Sequence, residues 1–97
     1  MPDIQQRITI PLALGVSATG PSISWPGGPG VVSAEATWGG GTVTLQTQTP
    51  LGTWVAVGVD TTFTANAVAG FILPKGASLR ALIATATAVF VYVTTLS

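Results

Sequence analysis

The sequence predicts an all-β domain, an antiparallel β-sandwich of about eight strands. Apolar residues recur at every second position in each long segment, as they do in strands with one buried face. Turns rich in glycine and proline separate these segments at spacings of roughly 10–12 residues, which is typical of a sandwich or barrel. We expect a jelly-roll-like strand order, with an immunoglobulin-like sandwich as the alternative.

The individual segments differ in what they predict. Pro11 in the first strand has no amide hydrogen, which indicates an edge strand or a bulge. The last strand is apolar on both faces over 89–93, so it is either central and covered on both sides or in contact with another subunit. The piece at 61–64 is either a short strand or an extended loop. Strands are predicted near 6–14, 21–25, 31–38, 42–49, 53–58, 61–64, 69–73, 78–84 and 87–95.

Glycine and proline mark the connections between these strands. The three glycines at 39–41 are predicted to link two strands as a hairpin. The segments 50–53 and 74–77 each have proline two residues before glycine, which favours tight turns between neighbouring strands. The segment 25–30, WPGGPG, is predicted to be a rigid, exposed loop.

The composition indicates one domain that works in an assembly. The 97 residues fit a single domain, 1–97, in which the polar segment 1–6 is a candidate N-terminal arm. Only 6% of the residues are charged, against about 25% in ordinary soluble domains, and the formal net charge is zero. Soluble monomers usually carry net charge, so a covered surface is the first interpretation. A monomer with a surface of uncharged polar residues is the alternative.

Several function classes lack the residues that they need. The three cations are scattered, which argues against nucleic acid, and the apolar stretch at 86–93 is too short to span a bilayer. Without histidine or cysteine there is no Ser-His-Asp or Cys-His site and no usual zinc site. The acidic residues Asp3, Glu35 and Asp60 form no evident pair for acid–base catalysis. The chain is therefore predicted to be no enzyme and to need no metal or cofactor.

The aromatic residues are the one constellation that suggests a ligand. Trp25, Trp38, Trp54 and Tyr92 are candidates for stacking on sugar rings, although core or interface packing is the simpler interpretation. Trp38 continues an apolar strand face and Trp54 follows a turn, whereas Trp25 beside the proline-rich loop is the best candidate for exposure. Arg80 is either solvated or paired with Glu35 across strands or with a partner's carboxylate.

Four short motifs resemble those of small β-sandwich virion proteins of tailed bacteriophages. The motifs are a glycine-led strand at 41–46, a segment with a G-x-W turn at 51–58, a strand with a turn that ends in glycine at 71–76, and an LRA strand at 79–81. The resemblance covers roughly 31–93. It implies a non-enzymatic particle component, such as a capsid decoration (cement) protein or a piece of a fibre or tail, and it implies no catalytic or binding residue.

These observations together predict a structural virion protein, most specifically a capsid decoration protein that stabilises a particle by multivalent contacts. Its partners would be copies of itself, a capsid protein lattice or both, and its location the virion, assembled in the host cytoplasm. The alternative is a carbohydrate-binding module, or a fibre or tail component, that recognises a surface glycan through Trp25. The candidate assembly contacts are Ile4, Arg7, Trp25, Val89, Val91 and Val93.

Overall fold

The computed structural model describes residues 9–58 and 61–95, which form strands joined by turns and loops. Alternating apolar and threonine residues suit strands, because β-branched side chains pack well on a pleated surface. Within the described residues no helix has the length and apolar character needed to cross a bilayer. The strands are β1 (Thr9–Val16), β2 (Ile23–Ser24), β3 (Gly28–Thr37), β4 (Thr42–Gln48), β5 (Trp54–Ala56), β6 (Thr62–Phe63), β7 (Ala67–Leu73), β8 (Ser78–Ala84) and β9 (Thr87–Thr95).

Two antiparallel sheets pack face to face. The four-stranded sheet has the order β1-β9-β3-β7, and the five-stranded sheet has the order β2-β8-β4-β5, with β6 also paired to β4. Because β8 pairs with β4 over 42–47, β5 and β6 share the other side of β4, at 46–48 and 43–44 respectively. Together they act as one interrupted edge strand, so the sandwich has eight strand positions, as predicted.

The strand order is that of a jelly roll. β1 pairs with β9, β2 with β8, β3 with β7, and β4 with the β5–β6 edge. This is the pairing of one long hairpin whose two arms are folded across two sheets, as in the double Greek key of a jelly roll. An immunoglobulin-like sandwich pairs several consecutive strands. In the described chain β4 and the β5–β6 edge are the only consecutive strands that pair, so that alternative is wrong.

The sequence predicted turns between neighbouring strands at 39–41, 50–53 and 74–77, and only the turn at 50–53 joins paired strands, β4 and β5. There the Thr49 amide donates to the Thr53 carbonyl over 2.7 Å. The prediction of a hairpin at 39–41 is wrong, because this segment crosses from β3 in one sheet to β4 in the other. Gly41 is needed at the crossing because a Cβ there would lie 2.5 Å from the Ala84 carbonyl oxygen. The tight turn at 74–77 likewise crosses, from β7 to β8.

β1 confirms both expectations for a proline-containing strand. It forms an edge of the four-stranded sheet, and its pairing with β9 shifts register between Pro11 and Ala13. The shift turns two successive side chains, Leu12 and Ala13, into the core instead of to opposite faces.

The core lies between the two sheets. It consists of the inward-facing side chains of both sheets, with the indole of Trp25 closing one end against Phe71. Within the described residues no buried side-chain polar atom lacks a hydrogen-bond partner. The buried apolar residues are Leu12, Ala13, Trp25, Val32, Ala34, Val43, Leu45, Val57, Phe63, Phe71, Leu79, Ala81, Ile83, Ala86, Val89, Val91 and Val93.

Candidate functional site

The outer face of the four-stranded sheet exposes large apolar side chains. Alternation along β7 turns Val68 and Ile72 outward, and they are 66% and 72% exposed. On the other side of the sheet Leu14 of β1 lies opposite Phe90 of β9, and these side chains are 56% and 40% exposed. Tyr92, half-buried, follows Phe90 on the same face. We call these five residues the apolar face.

The apolar face carries almost no charge. Glu35, opposite Phe90 in the register of β3 and β9, is the only charged residue that the described chain places there. Four strands about 4.8 Å apart, compared over the seven residues of β7, the shortest of them, give the face a projected area of about 440 Å² at roughly 3.3 Å per residue. The exposed apolar side chains occupy only part of this area, and clusters of such side chains on a monomer are often binding surfaces. A stable protein interface buries roughly 800 Å² on each partner, about twice this area.

The predicted contact residues of the last strand lie on the wrong side of it. Val89, Val91 and Val93 are at most 1% exposed, so the prediction that they contact another subunit is wrong. β9 lies between β1 and β3, and its valines fill the space between the sheets while Phe90 and Tyr92 face outward. The strand is therefore central in its sheet, with one face buried and the other exposed.

Trp25 is a core residue, and the prediction that it is exposed is wrong. Its side chain is 1% exposed, its ring centroid lies 4.8 Å from that of Phe71, and its Nε1 donates to the Gly28 carbonyl over 3.1 Å. Its backbone is bonded to the 74–77 turn: its amide donates to the Ala77 carbonyl, and its carbonyl accepts from the Gly76 amide. Trp25 can therefore offer no surface to a glycan or a partner.

The other two predicted contacts, Ile4 and Arg7, lie outside the described residues, as does the candidate arm at 1–6.

A polar cluster lies on the outer face of the five-stranded sheet. Arg80 of β8 extends across β4 to Trp54 of β5, and its guanidinium carbon lies 4.3 Å from the ring centroid. Its Nε donates to Gln46 Oε1 over 2.8 Å. The stacking on Trp54 and the hydrogen bond to Gln46 hold the Arg80 side chain in one arrangement. The predicted pairing of Arg80 with Glu35 across strands is wrong, because the two residues lie on different sheets.

The remaining aromatics do not combine into a stacking platform. Trp38 packs against the core, and its Nε1 donates to Asn66 Oδ1 over 2.9 Å. The same oxygen accepts the Ala36 amide over 3.2 Å, so Asn66 ties Trp38 and the end of β3 to the loop before β7. Trp54 and Tyr92 keep exposed surface, but they lie on different sheets.

Catalytic side chains are not brought together in the described residues. Glu35 is the only carboxylate among them, and no group of metal-ligating side chains forms there. An open groove of about 580 Å³ lies between the segments 47–50 and 73–78, with Lys75 as its only charged residue. Its lining is otherwise threonine, proline and other uncharged residues, which offer no nucleophile–base pair.

Comparisons with protein-family models, with curated proteins and with solved structures found no match. The features that bear on function are therefore the jelly-roll strand order, the apolar face and the Trp54–Arg80–Gln46 cluster.

Proposed function

We propose that this chain is a non-enzymatic structural protein of a virus particle, a capsid decoration protein that attaches to the capsid protein lattice through its apolar face. The observation that carries the proposal is the exposure of Leu14, Val68, Ile72 and Phe90 on one sheet face, where Glu35 is the single charged residue among those described. Covering exposed apolar area of this kind with a partner removes it from water, which lowers the free energy.

Two further considerations support the virion assignment. The motifs at 41–46, 51–58, 71–76 and 79–81 resemble those of small β-sandwich virion proteins of tailed bacteriophages. Jelly rolls are a recurrent fold of capsid proteins and of lectins, which supports the assignment by analogy of fold alone. In this proposal the protein acts in the virion, is assembled in the host cytoplasm, and stabilises the shell through many weak, repeated contacts.

The attachment is tested by sedimenting the purified protein with empty capsid shells of the phage that carries its coding sequence. We expect Leu14→Lys to weaken co-sedimentation at least tenfold, because a lysine on the apolar face would lose its hydration against the shell. Leu51→Lys is the matched control, since Leu51 is 95% exposed in the 50–53 turn, away from the apolar face. Absence of wild-type co-sedimentation at micromolar concentration, or equal weakening by both variants, would contradict the proposal.

A second candidate function, glycan recognition, is favoured by the Trp54 cluster and no longer by Trp25. Trp54 keeps exposed ring surface, and Gln46 and Arg80 supply polar groups beside it on one sheet face. Sugar sites combine an aromatic ring with a few placed polar groups in this way. A glycan array probed with the wild-type protein and with Trp54→Ala tests it. Signals lost only in the variant support recognition through Trp54, and a wild-type array without signal excludes it.

A further inference from the structure

The four sheet edges of this fold differ in how well they are protected against pairing with another chain. An edge strand offers a row of unpaired amide and carbonyl groups, so proteins blunt their edges with proline, bulges, charges or short strands. β1 has Pro11 and two register shifts, and β2 has only two residues. The β5–β6 edge is divided into pieces of three and two residues. Each of these three edges is therefore a poor template for a further strand.

β7 has none of these protections. It runs for seven residues, AVAGFIL, without proline or charge. Its register with β3 is unbroken from Gly28 opposite Leu73 to Ala34 opposite Ala67. No other strand of the described chain pairs with its outer edge. A long, regular, apolar edge strand of this kind is a strong site for strand addition.

We propose that β7 pairs antiparallel with β7 of a second copy of this chain, which makes a two-fold symmetric dimer with one continuous eight-stranded sheet. The two-fold axis that pairs the full strand lies between the two copies, level with the middle of β7, so Gly70 of one copy lies opposite Gly70 of the other. In that register Val68 lies opposite Ile72 of the second copy on the outer face. These β-branched side chains form a favourable cross-strand pair and cover each other's exposed surface.

The absence of charge also favours a second copy as the occupant. In an isologous contact the residue at the two-fold axis meets its own copy, so a charge at position 70 would face the same charge. β7 has no charge, and the whole chain has a formal net charge of zero. Joining the two sheets would also bring two apolar faces side by side on a sheet of about 900 Å² projected area, close to the roughly 800 Å² that a standard interface buries on each partner. This last consequence rests on the proposed capsid attachment, whereas the dimer itself does not.

The dimer is tested by charge exchange at Gly70. A Cβ added there would lie 3.8 Å from the Gly30 carbonyl oxygen, an ordinary contact, so the monomer accommodates a side chain. We expect the wild type to be a dimer by light scattering at micromolar concentration. Gly70→Lys and Gly70→Glu should each raise the dimer dissociation constant at least tenfold, because two like charges meet across the axis. Mixing the two variants should restore a one-to-one heterodimer, detected by native mass spectrometry.

The matched control is Ser22→Lys, which adds the same charge at an exposed position just before β2, a strand of the five-stranded sheet. It should leave the dissociation constant within twofold of the wild type. A wild type that stays monomeric over the whole dilution series, or a dimer that Gly70→Lys leaves intact, overturns the proposal. So does a mixture of the two charged variants that forms no heterodimer. An intact dimer that fails to bind capsid shells would contradict only the proposed function, because dimer formation needs no shell.

Discussion

Replacing Trp25 by alanine should destabilise the fold severely, although the sequence first suggested an exposed position for it. The side chain is 1% exposed and packs on Phe71 with a ring-centroid distance of 4.8 Å. A buried indole removes roughly 150–250 Å² from water, and Trp→Ala changes in cores cost about 3–5 kcal/mol. The Gly28 carbonyl also loses the indole donor. With about 4–8 °C lost per kcal/mol in a domain of this size, the melting temperature should fall by about 12–40 °C.

Far-UV circular dichroism during heating and in urea measures this change without depending on tryptophan emission. Trp54→Ala is the matched control, since Trp54 is only half-buried and mainly loses its stacking with Arg80, worth about 0.5–1 kcal/mol at exposed sites. Equal destabilisation by the two variants would refute the assignment of Trp25 to the core. A loss below about 1 kcal/mol for Trp25→Ala would do the same, because such a value belongs to surface substitutions.

Two further predictions concern the connections between the sheets. Gly41→Ala should lower the free energy of unfolding, measured in urea, by at least about 2 kcal/mol, because its Cβ would collide with the backbone between β8 and β9. The control Gly20→Ala should lower it far less, because the Cβ there meets only an ordinary contact. Asn66→Ala should lower the free energy of unfolding by about 1–3 kcal/mol, because the Trp38 Nε1 and the Ala36 amide lose their shared acceptor. Asn66→Asp keeps an acceptor oxygen and should retain most of the stability. Equal losses in the two variants would argue against a role for the Asn66 Oδ1.

The sequence pattern predicted the strands well, since period two is a local property. Within the described residues, predicted and observed strand bounds agree within about three residues, and the longer strands, such as 78–84 and 87–95, coincide with β8 and β9. The start of the first predicted strand, at 6–8, lies outside the described residues. The start of β3 was missed because two prolines and three glycines at 26–30 indicated a loop. In the described residues Pro29 lies opposite Ile72 of β7, and the pairing of β3 with β9 is described as far as Gly30 opposite Thr95.

The choice of buried face could not be predicted for β9, because valines occupy one face and aromatic residues the other. Either set could have filled the core, and only the packing of two sheets against each other decides between them. Trp25 was misplaced for a related reason. Its burial depends on the 74–77 turn, about fifty residues away, which bonds to its backbone once β2 and β8 have paired. Pairings over such sequence distances leave no local signal in the composition of the loop.

The nested pairing of the jelly roll also has a kinetic consequence. β4 and β5 are joined by the short segment 49–53, whereas β1 and β9 are separated by most of the chain. Closing the outermost pair first would order a very long loop, which carries the largest entropy loss. If the hairpin at 50–53 forms first, each later pair needs only the short connections to strands already in place. We therefore expect folding to begin at this hairpin and to proceed outward, with the terminal strands joining last, in milliseconds to seconds as for other folds dominated by non-local pairs.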